Sequence, residues 1–116
     1  MKIALVQQTA TSDRPNNVER GLEALDAAAG MGADVVCFAE LAFEPFHPQN
    51  PARPGFQGLA EAVPGPLTEV FSARAREHGV VVVLNLLERV GDRCFDTSPV
   101  IDGDGRLLGR SRMVHI

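Results

Sequence analysis

The chain has 116 residues, of which 45% are hydrophobic and 22% are charged, and its net charge at pH 7 is −4. This length predicts a single domain, and this composition is typical of an ordinary folded protein rather than a disordered one. The acidic balance and the lack of a basic run argue against nucleic acid as a partner, and no apolar run approaches the ~20 residues that cross a bilayer, so we expect no membrane contact.

The cysteine content and the N-terminus bear on the compartment. Cys37 and Cys94 are too few for a disulfide framework, and the first residues lack the cleavage site of a signal peptide. We therefore expect both thiols to be reduced and the protein to be cytoplasmic.

The first third of the chain predicts a strand, a helix and a second strand. Residues 2–8 are rich in Ile, Leu and Val, and a turn-rich segment follows them. Asn16 or Asn17 is expected to cap the helix, and a glycine at 30 or 32 to end it. The continuous apolar run at 34–39 indicates a strand buried on both faces. The helix itself is predicted by apolar residues spaced i, i+4, i+7 and i+11, which are Val18, Leu22, Leu25 and Ala29.

The middle of the chain predicts a long connection, a second helix and a third strand. Residues 41–64 carry four prolines between positions 45 and 54, and a structureless loop of this length is often functional. The second helix is expected to begin at Gly65-Pro66, since proline suits a first-turn position, and to end at Gly79. Val80–Leu87, interrupted by Asn85, predicts the next strand.

The last quarter of the chain predicts two antiparallel hairpins. Turn signals at Gly91-Asp92 and at 102–105 separate strands that we predict near 93–101 and 106–115. A β-α-β-α-β order followed by hairpins is typical of an α/β fold with a mixed sheet, parallel at first and antiparallel later. The chain ends within a strand pattern, which we interpret as truncation.

Glu40 is the strongest candidate for a catalytic residue. It directly follows a buried strand and precedes the long connection, and ligands of open α/β sheets bind outside the carboxyl ends of the strands. A partly desolvated carboxylate there would have a raised pKa and act as a general base. The alternative interpretation is a solvated acid at a strand end, or a helix cap.

Three segments, taken in order, resemble a known family. They are Lys2–Gln7, Gly32–Leu41 and Phe95–Gly109, the last with an Asp-Gly-Asp-Gly turn before Leu-Leu-Gly. Their order and spacing resemble the opening of the nitrilase superfamily of carbon–nitrogen hydrolases. The resemblance implies a nitrilase-like α-β-β-α sandwich, of which residues 1–116 form the N-terminal part only, with a mixed sheet and helices on one face. It also implies that Glu40 is the general base and that the chain stops before the cysteine nucleophile.

The resemblance further implies a reaction, the hydrolysis of a non-peptide carbon–nitrogen bond in a small-molecule amide, carbamoyl compound or nitrile, without a cofactor. A thiolate attacks the carbon, a glutamate takes the thiol proton and later activates water, and a lysine stabilises the developing charge. Neither cysteine matches the nucleophile. Cys37 is expected to face away from Glu40 in one extended run, and Cys94 matches an ordinary strand residue.

The 116 residues alone are therefore expected to be inactive. Because the family fold pairs two sheets, we expect one face of this sheet to be covered by another copy, as a homo-oligomer, or by the missing C-terminal part of the protein. The apolar residues of Val80–Leu87 and of the strand at 106–115 are expected on that face.

The family's lysine is not found where the resemblance places it. Met113 occupies that position, and we interpret it as packing in the core or the pocket. Arg112 is the nearest cation, but strand alternation turns it to the opposite face, so we expect it to face away from Glu40. The alternatives are a bulge that re-aims Arg112, a cation from a later residue, or altered catalysis. His115 matches a family position beside the lysine, where it would form a hydrogen bond, and His47 either lines a pocket entrance or is simply exposed.

Two alternatives to a hydrolase stay open from the sequence. A family member that lost its lysine would be a non-catalytic binding or interaction module, and an unrelated α/β domain would carry none of this chemistry. The histidines and cysteines are not spaced as metal ligands, so we predict no metal site.

Overall fold

The computed structural model of the protein describes residues 1–46 and 56–113. These residues form six strands, two α-helices and one 3-10 turn at Phe56–Leu59. The helices are α1 at Arg14–Gly30 and α2 at Pro66–His78. The strands are β1 at Ile3–Val6, β2 at Val35–Phe38, β3 at Val81–Val83, β4 at Leu86–Val90, β5 at Arg93–Ile101 and β6 at Leu107–Arg112.

The strands form one six-stranded sheet, and this sheet is mixed, as predicted. β1, β2 and β3 are parallel neighbours, with Val35 of β2 opposite both Ile3 and Val81. β5 is antiparallel to its neighbours, and it pairs with β3 and β4 along one edge and with β6 along the other. The parallel part and the hairpin part are therefore continuous with each other.

The single strand predicted at Val80–Leu87 is two strands in the structure. β3 and β4 keep one register against β5, and the interruption between them falls at Leu84 and Asn85. Leu84 points into the hydrophobic core, whereas the Asn85 amide binds side chains of β5. A polar residue in an apolar run thus marks the point where the strand breaks.

The start of α1 differs from the prediction, whereas the helix ends agree with it. Asp13 caps α1, because its Oδ1 accepts a hydrogen bond from the Asn16 N–H at 3.1 Å. A cap at Asn16 or Asn17 was the wrong prediction, since Asn17 lies buried within the first turns. α1 ends at Gly30, and α2 ends before Gly79, whose φ of 67° is left-handed.

Both helices cover the same face of the sheet, as expected. Leu25 of α1 and Phe71 of α2 are completely buried against Val36 of β2 and Val82 of β3. Phe71 also packs with Phe38 and Phe43, with ring centroids between 5.2 and 5.4 Å apart. The main hydrophobic core lies between the helices and this face.

The opposite face is not covered by any of the described residues along β1. Ile3 and Leu5 of β1 are 58% and 77% exposed, although both are large and apolar. By register, this open face also contains Val35 and Cys37 of β2, which are half-buried.

The described ends of the connection at 41–64 are not structureless. Leu41, Ala42 and Phe43 are buried after β2, which makes them part of the folded body. At the other end, Glu61 forms an isolated parallel bridge with Glu88 of β4. The expectation of a fully irregular loop was wrong at both ends. Apolar residues at the first end are buried in the core, and Glu61 at the second end pairs with β4.

Candidate active site

A strained turn at the carboxyl end of β2 sets the position of Glu40. β2 ends at Phe38, and Leu41 takes a φ of 48°, a left-handed value that is uncommon for leucine. The Leu41 N–H donates to Oδ1 of Asn85 at 2.8 Å, so this turn is tied to the break between β3 and β4. The backbone therefore leaves the strand after Phe38 and turns at Glu40 and Leu41.

The turn brings the Glu40 carboxyl group within hydrogen-bonding reach of the Asp96 carboxyl group on β5. Asp96 faces the side of the sheet that the helices do not cover. By register, Cys37 faces the same side as Asp96. We expected Cys37 and Glu40 to face opposite ways because residues 37–40 would form one extended run. That expectation was wrong, because β2 ends at Phe38 and Glu40 lies in a turn.

Asn85 organises the surroundings of Asp96. Its Nδ2 donates to Oδ1 of Asp96 at 2.6 Å and lies 3.0 Å from Oγ of Ser98. Asn85 and Asp96 are both buried, and the other end of the Asn85 amide accepts the bond from Leu41. One side chain thus links the turn that carries Glu40 to the strand that carries Asp96.

The neighbouring carboxyl group changes the acidity of Glu40. Hydrogen bonding to Asp96, followed by burial and by repulsion from the Asp96 charge, raises the pKa of Glu40 to about 7 from 4.5. We expected desolvation to raise this pKa, and the main cause is instead the second carboxyl group. The expectation of a poorly solvated Glu40 was wrong for this structure, in which the residue is exposed.

A separate charged cluster lies on the helix-covered face. Glu88 is 1% exposed and accepts hydrogen bonds from Thr97 at 2.8 Å, from Nε of Arg112 at 2.8 Å and from Arg110. The guanidinium of Arg112, together with Thr97 and Arg110, lowers the pKa of Glu88 to about 2 against the effect of burial. The Arg112 guanidinium also lies over the ring of Phe95, 4.5 Å from its centroid.

This cluster fixes the direction of Arg112. Its guanidinium is bound to Glu88 on the face opposite Asp96, which agrees with the expectation that it faces away from Glu40. The structure therefore does not re-aim Arg112 toward the candidate base, and a supporting role for it would act through Glu88 and the position of β6.

Met113 lies at the end of β6, beside the candidate site. Its N–H donates to the backbone oxygen of Asp96 at 2.9 Å, and the β5–β6 register places both residues on one face. Its side chain is 41% exposed, so the expectation of a packed residue does not describe its state here. His47 and His115 lie outside the described residues, and their expected roles stay predictions.

The sequence interpretation missed Asp96 and Asn85. The signal for Asn85 was present, since it is the only polar residue in the run Val80–Leu87. Asp96 was included in a resembling segment, but nothing local indicated that its carboxyl group would meet Glu40, because the two residues belong to non-adjacent strands. Only the turn at Leu41 brings them together.

The described parts of the chain contain neither a grouping of metal ligands nor a membrane-spanning helix. Among residues 1–46 and 56–113, no three His, Cys, Asp or Glu side chains are grouped so as to hold a metal ion. Neither α1 nor α2 is long and apolar enough to cross a membrane.

Similarity to known proteins identifies the family to which the chain belongs. The family model of carbon-nitrogen hydrolases matches residues 2–116. The chain is 34% identical to a nitrilase of Paraburkholderia phymatum, over 98% of this chain and 36% of the nitrilase. It is 28% identical to the chloroplastic omega-amidase of Arabidopsis thaliana, over 98% of this chain and 31% of that enzyme. A crystal structure of a carbon-nitrogen hydrolase from Helicobacter pylori G27 matches the fold with a TM-score of 0.88, at 24% identity, over 98% of this chain and 39% of that one.

The chain belongs to the carbon-nitrogen hydrolase family, as the resemblance implied. Its mixed sheet with both helices on one face is the fold found in the nitrilase superfamily. The chain spans between 31% and 39% of the length of the three proteins compared above.

Proposed function

We propose that these 116 residues carry the general base of an enzyme that hydrolyses a carbon–nitrogen bond in a small amide, carbamoyl compound or nitrile. The observation that carries the proposal is the position of Glu40 at the carboxyl end of β2, beside Asp96, in a chain of the carbon-nitrogen hydrolase family. Similar proteins include one named a nitrilase and one named an omega-amidase, which favours this class of substrate.

In the proposed reaction, Glu40 moves protons for a cysteine thiol. Ionised Glu40 takes the thiol proton, and the thiolate attacks the amide or nitrile carbon. An amide gives a tetrahedral adduct directly, whereas a nitrile gives a thioimidate that must first add water to reach a tetrahedral adduct. The tetrahedral adduct then loses ammonia and becomes a thioester, with protons supplied through Glu40 and water. Glu40 then takes a proton from water as the water attacks the thioester, which releases the acid and restores the thiol. For this reaction we propose that the thiol comes from polypeptide outside the 116 residues.

The cation of the reaction is also proposed to come from elsewhere. Met113 occupies the position where the resemblance places a lysine, and Arg110 and Arg112 are engaged by Glu88. Stabilising the oxyanion needs a donor about 3 Å from the reacting oxygen, and a guanidinium held on the other face does not meet that condition. The 116-residue chain by itself is therefore proposed to be inactive.

The second candidate function is a binding or interaction module of the same family. The specific observation in its favour is Met113, because a thioether cannot replace an ammonium in stabilising negative charge. Such a module would keep the fold but would not catalyse the reaction.

Ammonia release tests the proposal. The protein expressed from its complete natural reading frame is assayed with butyramide and butyronitrile, alongside the 116-residue chain alone. We expect release by the complete protein and none above the blank by the 116 residues. Glu40→Gln should lower kcat about 10²-fold or more, which is the usual scale for losing a general base.

The matched control is Glu23→Gln, which makes the same chemical change at an exposed position of α1. It should leave kcat unchanged. An unchanged rate in Glu40→Gln would remove Glu40 as the base. No release by the complete protein, with butyramide binding retained in calorimetry, would favour the binding module.

A further inference from the structure

We propose that Asp96 is a positioning residue that acts through Glu40, because its buried carboxyl group is held against the Glu40 carboxyl group by Asn85. This inference rests on the proposed function only in calling Glu40 the base. It adds a residue that sets the protonation state of the base, and with it the pH range in which the base is free to act.

The first observation behind it is the contact itself. Two carboxyl groups within hydrogen-bonding reach repel each other strongly when both are ionised, so Glu40 keeps its proton to a higher pH than an isolated glutamate does. Asp96 is 7% exposed, whereas Glu40 is exposed, so water can screen one member of the pair far better than the other. Asp96 therefore cannot turn its charge away from Glu40 into solvent.

The second observation is that Asn85 prevents the pair from separating. Its Nδ2 donates to Oδ1 of Asp96 at 2.6 Å, and its Oδ1 accepts the N–H of Leu41, the residue after Glu40, at 2.8 Å. The amide can satisfy both bonds in only one orientation. It therefore keeps the Asp96 carboxyl group beside the turn that carries Glu40.

Other charged and titratable groups lie on the strands that neighbour the pair. By register, Arg89 of β4, Cys94 of β5 and Cys37 of β2 share the face of Asp96. Among residues 1–46 and 56–113, the ion pairs with Arg110 and Arg112 of β6 go to Glu88 on the other face. The pair thus carries its negative charge without an arginine or lysine bound to it in the described part of the chain.

The raised proton affinity of Glu40 has a use in the proposed reaction. Once ionised, Glu40 accepts the proton of the thiol and becomes neutral, and the neighbouring Asp96 carboxyl group raises its affinity for that proton. When the tetrahedral intermediate collapses, the carbon–nitrogen bond breaks and the same proton passes from Glu40 to the leaving nitrogen. A base whose proton affinity matches neutral pH can perform both transfers.

Carboxyl titration by NMR tests the inference on the 116-residue chain without any substrate. The chain is labelled with ¹³C at the Glu and Asp carboxyl groups, and Glu40→Gln identifies the Glu40 resonance. In the unsubstituted chain, Glu40 should titrate near pH 7. In Asp96→Asn the midpoint of Glu40 should fall toward 4.5, its ordinary value. Asp92→Asn, which changes an exposed turn residue, should leave it near 7.

A second variant covers the case in which Asp96→Asn does not fold. Asp96→Ser also removes the carboxyl group but keeps an oxygen that can accept a hydrogen bond, and it should give the same fall in the midpoint of Glu40. A Glu40 midpoint near 4.5 in the unsubstituted chain, or one near 7 that Asp96→Asn or Asp96→Ser leaves in place, would overturn the inference. None of these outcomes depends on hydrolysis, so ammonia release still decides the proposed function separately.

Discussion

At the scale of single residues, two glutamates of this chain have opposite environments. Glu40 meets another carboxyl group, and its pKa rises to about 7, whereas Glu88 meets two guanidinium groups, and its pKa falls to about 2. The exposed Glu40 holds a proton near neutrality, and the buried Glu88 stays ionised. The charged groups that contact each glutamate, more than its burial, decide its protonation state.

Glu88→Gln is expected to destabilise the chain at neutral pH. The change removes the charge that Arg110 and Arg112 bind and leaves both guanidinium groups without a carboxylate partner. Because both arginines reach solvent, we expect a loss of about 3 kcal/mol in the free energy of unfolding, the lower end for a broken buried ion pair. Urea denaturation at pH 7 measures it, with Glu23→Gln as a control that should change stability by no more than about 0.5 kcal/mol.

The same pair predicts how stability depends on pH. The pKa of Glu88 is lower in the folded chain, about 2, than its ordinary value of 4.5, so its contribution is complete above 4.5 and is lost as the pH falls toward 2. The difference between the unsubstituted chain and Glu88→Gln should therefore shrink in urea titrations at pH 3. A difference that is the same at pH 7 and pH 3 would show that charge is not its cause.

At the scale of elements, helix α1 offers a matched pair of glycines. A Cβ on Gly21 would lie 2.7 Å from Cε1 of Phe43 and 3.3 Å from Phe71, whereas a Cβ on Gly30 would meet no atom within 4 Å. Gly21→Ala should therefore destabilise by about 1–3 kcal/mol, because the packed rings must move. Gly30→Ala should be neutral or stabilise by up to about 1 kcal/mol, because it lowers the entropy of the unfolded chain.

Thermal unfolding of the two alanine variants compares identical substitutions in one helix. The melting temperature should fall for Gly21→Ala and should hold or rise for Gly30→Ala. If both variants behave alike, the aromatic cluster of Phe38, Phe43 and Phe71 does not pack on α1 as described.

The elements also show what the sequence could and could not predict. Periodicity and glycine stops located both helices, because those signals are local, and Glu40 was found because it follows an apolar strand. The cap at Asp13 was missed because three side chains near the helix start can each serve as a cap, and only the folded chain buries Asn17. The break at Asn85 and the contact of Glu40 with Asp96 depend on pairing between distant strands, which no local pattern encodes.

At the scale of the whole molecule, the two faces of the sheet differ. The expectation that Val80–Leu87 and the last strand would supply the open face with apolar residues was wrong in part. Leu84 and Leu86 face the helices, and β6 contributes Gly109 and Ser111 to the open face. The exposed apolar side chains of that face include Ile3 and Leu5 of β1 and Met113 at the end of β6.

We propose that polypeptide outside these residues, or a second copy of the chain, covers β1 on this face. Large exposed apolar patches are uncommon on monomeric proteins. The isolated chain should therefore bind a hydrophobic dye and have a mass in solution above its 12.4 kDa. Ile3→Thr combined with Leu5→Thr should reduce both effects, whereas Val90→Thr, at another exposed strand position, should not. A 12.4 kDa monomer without dye binding would show that the sheet needs no cover.

The pH dependence of kcat/KM for the complete protein tests most directly whether Glu40 is the base of this hydrolase. Because the base must be ionised, kcat/KM should rise with pH through a midpoint near 7, which is the pKa that Asp96 gives to Glu40. Asp96→Asn should move that midpoint down toward 4.5, while Asp92→Asn leaves it in place. A rising limb that stays at the same pH in Asp96→Asn would show that another group, such as the thiol, sets it, and would contradict the assignment of Glu40.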